Sequence, residues 1–308
     1  MSDELTVTRA TALCPDVREI VLARPDGDVL PSFAPGSHIG LHCGPGLRNA
    51  YSLTGHGLDP RHYAVSVRLD PAGRGGSRWV HGLRPGDRVR VDPPRSAFAP
   101  VADARHHLLV AGGIGVTPLL AHVRAALTWG RSFRLHYAHR PGHGAHADEL
   151  RALCGDRLEV AHSAAALWAA LGPALRRQPL GTHLYVCGPA ALNDAVTAAA
   201  AEAGWPDQRV HTEAFAAAPV AAGSSFTVRL ARSGHEFEVG AEQTMLDALL
   251  ARGAAVPNLC RQGVCGECRL GVRSGRAEHR DTVLTADERG TAVLPCVSRA
   301  TGRLELEL

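Results

Sequence analysis

Short runs of alternating hydrophobic and polar residues fill the N-terminal third of the chain. They cover positions 17–22, 38–42, 63–68 and 88–91 and are separated by turns that contain Pro-Gly and Asp-Gly pairs. Alternation with a period of two is typical of strands that bury one face, and closely spaced turns connect such strands into hairpins. This part of the chain therefore predicts a small antiparallel barrel of six strands.

The pattern changes in the middle of the chain, where short apolar runs alternate with longer helical stretches. Strands are predicted at 108–111, 133–139, 158–162 and 184–187, and helices at 118–129 and 190–203. We expect Pro118 to occupy the first position of its helix, because that position needs no hydrogen-bonding N–H group. Strands separated by helices indicate a parallel α/β sheet.

A third pattern begins after a segment of small residues at 216–224. Two alternating runs, 226–230 and 235–239, flank Ser233-Gly234 and predict a hairpin, and a short helix is predicted at 244–252, capped by Thr244 and followed by Gly253. We therefore predict a mixed α+β and α/β chain with a barrel domain (1–103), an α/β domain (104–216), a linker (217–224) and a C-terminal domain (225–308).

Composition excludes several classes of protein. The 308 residues carry 33 Lys and Arg against 30 Asp and Glu, a formal net charge of +3, and only 5% are aromatic, so nucleic acid is not an expected partner. The first residues lack the features of a signal peptide, and no stretch reaches the roughly 18 apolar residues of a transmembrane helix. We expect a cytoplasmic monomer that does not enter a membrane.

Four of the eight cysteines lie in the C-terminal domain. Cys260, Cys265 and Cys268 form a Cys-x4-Cys-x2-Cys run, and Cys296 follows after 27 residues. This is the plant-type ferredoxin spacing, in which four thiolates hold a 2Fe-2S cluster. Structural zinc, the main alternative, usually takes two closely spaced Cys pairs, and the second pair is missing here. The spacing therefore predicts a 2Fe-2S cluster.

Glycine-rich turns follow two of the predicted parallel strands. The first is G-G-I-G-V-T-P (112–118), and the second contains Cys187, Gly188 and Pro189. Ligands of open α/β sheets bind beyond the carboxyl ends of the strands, where N–H groups of such turns meet phosphate. Either turn alone would also suit close packing, but both lie at the same edge of the sheet and together indicate a dinucleotide crevice.

Two motifs in the barrel have the composition of a phosphate or ring site. R-N-A-Y-S-L (48–53) places an aromatic residue and a hydroxyl after a basic residue, and G-R-G-G-S (73–77) precedes a short predicted helix at 77–81. Successive N–H groups and a Ser hydroxyl at such a turn can hold phosphate. Taken alone, each motif fits an ordinary strand or hairpin turn equally well.

Taken together, these motifs resemble those of the phthalate dioxygenase reductase and vanillate demethylase reductase family, within the ferredoxin-reductase superfamily. The resemblance also covers Y-V-C-G-P (185–189), H-T-E-A-F (211–215), G-R-A-E-H-R-D-T-V-L (275–284) and C-V-S-R-A (296–300), in this order along nearly the whole chain. It implies FMN in the barrel, NADH on the α/β domain and the 2Fe-2S cluster in a C-terminal ferredoxin domain of β-grasp fold.

The resemblance also implies roles for individual residues. Tyr51 and Ser52 would flank the flavin ring, Gly75, Gly76 and Ser77 would hold its phosphate, and Phe215 would cover its other face. The remaining flavin contacts are expected from Arg48, Asn49, Ala50, Val67 and Arg68. The nucleotide contacts are expected from Gly113, Ile114, Gly115, Thr117, Pro118, Arg140, Cys187, Gly188 and Pro189. Ser52, Cys187 and Glu213 are the expected catalytic residues, with positioning roles.

The chain departs from the family pattern at several places, including Ser96, where an Asn is usual after Pro94 and Arg95. Asn49 stands where an Arg is usual, which leaves open whether Arg48 replaces it at the flavin. Leu259 and Glu267 stand where Ser and Thr are usual beside the cluster cysteines, and losing hydroxyl donors there should lower the cluster potential. A histidine-rich loop, with His139, His143 and His146, lacks any accompanying carboxylate or Cys pattern and is predicted to be exposed.

Electron counting defines the implied activity. A nicotinamide gives two electrons as hydride, an iron–sulfur cluster takes one, and a flavin does both, so the flavin must stand between them. The first hypothesis is a reductase component that supplies an oxygenase, expected to be a Rieske non-haem iron protein. The alternatives are a haem monooxygenase as acceptor, a free diaphorase, or a redox-sensing subunit that binds the cofactors without turnover.

Overall fold

The computed structural model describes residues 2–44, 46–96, 98–215, 223–261, 263, 265–281 and 283–308. The chain divides into two compact units, Met1–Phe215 and Ala216–Leu308. Most of the predicted linker, positions 217–222, lies outside the described residues, and the predicted domain boundaries remain predictions. Within the described ranges, no helix is both long and apolar enough to cross a membrane.

The N-terminal unit begins with an antiparallel sheet that curves into a barrel. Its elements are β1 (Asp3–Cys14), β2 (Val17–Ala23), β3 (Ser37–His42), β4 (Arg48–Ser52), β5 (Tyr63–Arg68), the helix α1 (Gly76–Gly82), β6 (Arg88–Val91) and β7 (Arg95–Ser96). The strand order is β4-β3-β6-β1-β2-β5, and β7 pairs with β3 outside this path. Alternate residues such as Ile20 and Leu22 are fully buried inside, as the period of two predicts.

A parallel sheet with helices on both faces completes this unit. Its elements are β8 (His106–Gly112), α2 (Val116–Thr128), β9 (Ser132–Ala138), α3 (Ala147–Cys154), β10 (Leu158–Ala161), α4 (Ala164–Arg176), β11 (Thr182–Gly188), α5 (Ala190–Glu202) and β12 (Val210–Ala214). All strand pairs are parallel, in the order β10-β9-β8-β11-β12. This order brings the ends of β8 and β11, which carry both glycine-rich turns, side by side.

The prediction that Pro118 begins a helix is wrong by two residues. A 3-10 turn over Gly113–Gly115 runs directly into α2, which starts at Val116, so Pro118 is the third helical residue. The position still tolerates proline, because the first four N–H groups of a helix have no partner within it.

The described part of the C-terminal unit contains a mixed sheet and a short α-helix. Its elements are β13 (Phe226–Leu230), β14 (Glu236–Val239), α6 (Met245–Leu250), β15 (Leu270–Glu278), β16 (Ala292–Val293) and β17 (Arg299–Leu306). The strand order is β14-β13-β17-β15-β16. The first and last strands of the unit along the chain, β13 and β17, are neighbours and run parallel, as in a β-grasp domain. The predicted hairpin and the Thr244 cap are confirmed, and the predicted fold class is therefore confirmed in both units.

One buried arginine ties the beginning of this unit to its sheet. Arg299 is 1% exposed, and its guanidinium donates to the carbonyl groups of Gln243, Ser224 and Gly240. A side chain at position 223 would not fit, because a Cβ on Gly223 would lie 2.5 Å from Nε of Arg299. The guanidinium thereby gives hydrogen bonds, inside the core, to three carbonyl groups that are not paired in the sheet.

Candidate functional site

The predicted ring strand and the predicted phosphate turn of the barrel are connected by side chains. Arg74 donates to the amide oxygen of Asn49 over 3.3 Å, and the amide nitrogen of Asn49 lies 3.3 Å from the Tyr51 hydroxyl. Burial raises the pKa of Tyr51, so the phenol stays neutral. Asn49 therefore holds both Arg74 and Tyr51 in place, which explains how an amide can serve at the position where the family usually has an arginine.

The turn itself is shaped by its glycines and by Ser77. Gly75 has a φ of 107°, which only glycine adopts readily, and a Cβ on Gly76 would lie 2.1 Å from the Asn49 amide nitrogen. The Ser77 hydroxyl accepts from the Asp70 N–H over 3.0 Å and so closes the loop. The N–H groups at the start of α1 remain the donors that this turn can offer an anion.

Arg48 is already occupied by an acidic partner. Its guanidinium lies 3.1 Å from Asp92, whose other carboxyl oxygen is 3.0 Å from His42. Arg74 contacts Asn49 and directly precedes the Gly75-Gly76 turn. Arg74 is thus a candidate that sequence reasoning missed, although the letters G-R-G-G-S displayed it.

The two glycine-rich turns of the parallel sheet pack against each other. A Cβ on Gly115 would lie 2.1 Å from the carbonyl oxygen of Cys187, and one on Gly188 would lie 3.0 Å from the Gly112 Cα. Gly113 differs, since its φ is 54° and a Cβ there would have no neighbour within 4 Å. The Thr117 hydroxyl donates to the Ile114 carbonyl over 3.0 Å and holds the turn closed.

Cys187 and Glu213 are neighbours on adjacent strands at this edge. They are partners in the β11–β12 register, and Cys187 is fully buried. Burial raises the pKa of Glu213 to about 8, and burial together with Glu213 raises the pKa of the Cys187 thiol further above its usual value. The Asn193 amide donates to the Glu213 carbonyl over 2.9 Å and fixes the strand end.

The remaining predicted site residues lie at different places on the barrel and the parallel sheet. Val67 is 2% exposed on β5, which packs against the Gly113–Gly115 turn, so the barrel and the nucleotide edge meet there. Arg68 ends that strand on the surface, Ala50 is half-buried on β4, and Phe215 follows β12 with 38% exposure. Pro189 caps α5, and Arg140 lies 3.9 Å from Asp16 on the barrel.

The four cysteines of the C-terminal unit interact with one another. Cys260 raises the pKa of the Cys265 thiol, Cys268 raises that of Cys296, and Cys260 also contributes at Cys268 and Cys296. Thiols that affect one another in this way, at plant-type ferredoxin spacing, fit the four ligands of a 2Fe-2S cluster. Within the described part of the chain, no group of three His, Cys, Asp or Glu side chains is arranged around a single ion.

A buried carboxylate braces the cysteine loop. Asp281 accepts from the N–H group of Leu284 over 2.9 Å and from the Ser298 hydroxyl over 3.4 Å. A Cβ on Gly263, whose φ is 73°, would lie 3.3 Å from the Asp281 Cβ. Asp281 therefore connects the loop of the first three cysteines with the turn that follows Cys296, a function that the sequence motif alone does not reveal.

Comparisons with known proteins agree with this arrangement. The family model "dimethylamine monooxygenase subunit DmmA-like, N-terminal domain" matches residues 87–210, and the "2Fe-2S iron-sulfur cluster binding domain" matches residues 228–301. The heme-dependent oxidative N-demethylase beta subunit of Ectopseudomonas mendocina is 47% identical over 89% of this chain and 88% of that protein.

Three further comparisons cover all or nearly all of the chain. Phthalate dioxygenase reductase of Burkholderia cepacia is 36% identical over 99% of this chain and 97% of that protein. The solved structure of a phthalate dioxygenase reductase superposes with a TM-score of 0.79 at 35% identity, covering 100% of this chain and 98% of that one. An intact self-sufficient cytochrome P450 monooxygenase contains a similar region, with a TM-score of 0.79 at 34% identity over 41% of its length.

The chain belongs to the phthalate dioxygenase reductase and vanillate O-demethylase oxidoreductase family. It is an oxidoreductase with a C-terminal 2Fe-2S domain, and several of its relatives, such as the carnitine monooxygenase reductase subunit, are subunits of oxygenase systems. The predicted family is thereby confirmed, while the roles of the individual site residues remain predictions.

Proposed function

We propose that this protein is the reductase component of a two-component oxygenase. It takes hydride from NADH at an FMN in the barrel, and electrons leave one at a time through the 2Fe-2S domain. The plant-type ferredoxin spacing of the four thiols, within the region that matches a 2Fe-2S domain, is the observation that carries this proposal. FMN supplies the exchange between two-electron and one-electron chemistry when bound.

The residues of the chain bind and orient the reactants in this proposal. Tyr51 and Ser52 position the flavin ring, while Arg74 and the Gly75–Ser77 turn hold its phosphate. The Gly113–Gly115 turn and Gly188 form the floor on which the pyrophosphate of NADH lies. Cys187 and Glu213 lie at the strand ends beside these turns, and because burial raises both pKa values they add no negative charge next to the nicotinamide at pH 7.

The first experiment is an absorption spectrum of the purified protein, followed by anaerobic titration with NADH. Flavin and iron–sulfur bands that both bleach with NADH support the proposal, and acid release followed by chromatography distinguishes FMN from FAD. Parallel titrations with NADPH measure cofactor preference. A protein that stays colourless after anaerobic reconstitution with iron, sulfide and flavin would sink the proposal.

The oxygenase that receives the electrons is proposed to contain haem and to demethylate a small N-methylated amine. The supporting observation is the 47% identity with the beta subunit of a heme-dependent oxidative N-demethylase, compared with 36% for phthalate dioxygenase reductase. The overall reaction would be R₂N–CH₃ + O₂ + NADH + H⁺ → R₂NH + HCHO + H₂O + NAD⁺. Formaldehyde release therefore reports coupling to this partner.

A Rieske non-haem iron oxygenase is the second candidate acceptor. Its support is the similarity to phthalate dioxygenase reductase across 97% of that protein. Purified oxygenase components of both kinds, each supplied with its own substrate, would be mixed with this reductase and NADH. Faster coupled product formation with the haem protein supports the first acceptor, and faster formation with the Rieske protein supports the second.

A further inference from the structure

A series of side-chain hydrogen bonds joins the barrel to two helices of the parallel sheet. The Ser66 hydroxyl lies 2.8 Å from Nε2 of His146, and Nδ1 of the same ring lies 2.9 Å from Oε2 of Glu149. The other carboxyl oxygen of Glu149 accepts from Arg124, which also donates to the carbonyl of Thr54. We call these side chains the strut; it begins and ends on the barrel and passes through α3 and α2.

His146 is buried and strained, contrary to the prediction of an exposed histidine loop. It is 7% exposed, and its φ of 57° lies in the left-handed region that residues other than glycine rarely adopt. Such backbone conformations persist where the surroundings enforce them, and they are concentrated at functional sites. Here the two ring hydrogen bonds hold the residue in place.

The charges of the strut are matched. The hydrogen bond from His146, followed by the positive charge of Arg124, lowers the pKa of Glu149 to about 2, although partial burial opposes this. The carboxylate therefore stays ionised throughout the working pH range and accepts from both neighbours. The loop has a second contact with the barrel, because His143 Nδ1 lies 2.9 Å from Asp16.

The attachment points of the strut lie beside the proposed cofactor sites. Ser66 precedes Val67 on β5, the strand that packs against the Gly113–Gly115 turn, and Thr54 follows Ser52 by two positions. Arg124 belongs to α2, the helix that begins immediately after that turn. The strut thus spans from the strands assigned to the flavin to the helix assigned to the nucleotide.

We propose that the strut, with Ser66 and His146 as positioning residues, sets the alignment of the nicotinamide with the flavin. This inference rests on the proposed function. The order Ser66–His146–Glu149 is also that of a hydrolytic triad, but Ser66 is only 4% exposed and no substrate can reach its hydroxyl. Its role is therefore to fix geometry.

The test measures hydride transfer in the holoenzyme by anaerobic stopped-flow reduction of the flavin with NADH. His146→Ala and Ser66→Ala should lower the limiting rate about ten-fold or more, because misplacement by a fraction of an ångström is costly, while the NADH concentration for half-maximal rate changes little. Ser66→Thr keeps a hydroxyl and should restore most of the rate. Asp148→Ala, which removes only an exposed ion pair of α3, is the matched control.

Two further readouts do not depend on turnover. The long-wavelength charge-transfer absorbance of the protein with NAD⁺ should weaken in both alanine variants, and hydrogen exchange should accelerate at 63–68 and 139–146. Limiting rates, absorbance and exchange equal to those of the wild type in Ser66→Ala overturn the inference, as would equal losses in Asp148→Ala. If NADH does not reduce wild-type flavin while dithionite does, the proposed function fails instead, and hydrogen exchange still decides whether the strut joins the two segments.

Discussion

The sulfur of Cys187 lies 4.0 Å from Oε2 of Glu213, across the β11–β12 pair at the edge where the nucleotide turns meet. Burial keeps both groups protonated at neutral pH, since it raises the pKa of Glu213 to about 8 and that of the thiol further still. The pair therefore forms a neutral end to a crevice whose expected ligand carries charge only at its phosphates and its oxidised ring.

The raised pKa of Glu213 makes stability depend on pH. Between the ordinary pKa of 4.5 and the folded value of about 8, the folded protein holds a proton that the unfolded chain has released, so stability falls as pH rises through this window. Glu213→Gln cannot ionise and should escape this loss. We expect its melting temperature to exceed that of the wild type by about 5 °C at pH 9 and to match it at pH 5.

Thermal unfolding at pH 5, 7 and 9 at constant ionic strength measures this difference. Glu202→Gln, at the exposed end of α5, is the control and should run parallel to the wild type at every pH. If the melting temperature of Glu213→Gln changes with pH as that of the wild type does, the carboxyl of Glu213 is ionised at neutral pH and Cys187 and Glu213 are not a neutral pair.

The close contact between the two glycine-rich turns predicts different effects for two alanine substitutions. Gly115 has a φ of −62°, which suits alanine, but the new Cβ would collide with the Cys187 carbonyl and push the turns apart. Gly115→Ala should therefore cost about 1–3 kcal/mol of stability and weaken NAD⁺ binding about ten-fold. Gly113→Ala meets no neighbour and should cost only the roughly 1–2 kcal/mol of a left-handed alanine.

Denaturant unfolding and a spectral titration with NAD⁺ measure both effects. The two variants should differ in their affinity for NAD⁺. Gly115→Ala should lose both binding and stability, whereas Gly113→Ala should lose mainly stability. Equal loss of binding in both would mean that the turn works through its backbone conformation rather than through its spacing from Cys187.

Local patterns predict much of the fold because alternation and Cys spacing are properties of neighbouring residues. The strand at 63–68 and the hairpin at 226–239 follow directly from a period of two. The predicted start of α2 is wrong because a 3-10 turn can lead into a helix without any residue that marks the junction. The pattern does not predict β1, since most of its positions are polar or half-exposed.

The parts of the site that could not be predicted depend on partners distant in sequence. Ser66 and His146 are 80 positions apart, and nothing near either residue indicates that they meet. Arg299 similarly gives no sign in its own segment that it will bind the carbonyl of Ser224, 75 positions away. Such contacts are decided by how strands pack, which no local pattern contains.

The positions of the two barrel arginines predict which one holds the flavin phosphate. Arg48 lies on the predicted ring strand, 3.1 Å from Asp92, whereas Arg74 directly precedes the Gly75-Gly76 turn that is assigned to the phosphate. Because a charge-assisted hydrogen bond contributes roughly 1.5–3 kcal/mol, Arg74→Ala should raise the Kd for FMN at least about ten-fold. Arg48→Ala should raise it less than about three-fold. Fluorescence titration of the apoprotein with FMN measures the Kd of both variants. A larger increase in Arg48→Ala than in Arg74→Ala would show that Arg48 holds the phosphate.

The four predicted cluster thiols predict that electron entry and exit can be separated by one substitution. Cys296→Ser removes one of the four thiolates and should abolish the cluster's visible absorbance and its electron paramagnetic resonance signal. NADH should still bleach the flavin at the wild-type rate, because the flavin and nucleotide residues all lie in the other unit. Ferricyanide reduction should persist, whereas electron delivery to cytochrome c and to an oxygenase should fall at least about a hundred-fold.

Cys154→Ser, which changes a buried thiol of α3 outside the cluster loop, is the matched control and should retain all four activities. If Cys296→Ser delivers electrons to the oxygenase at an undiminished rate, electrons leave from the flavin directly and the C-terminal domain has another purpose.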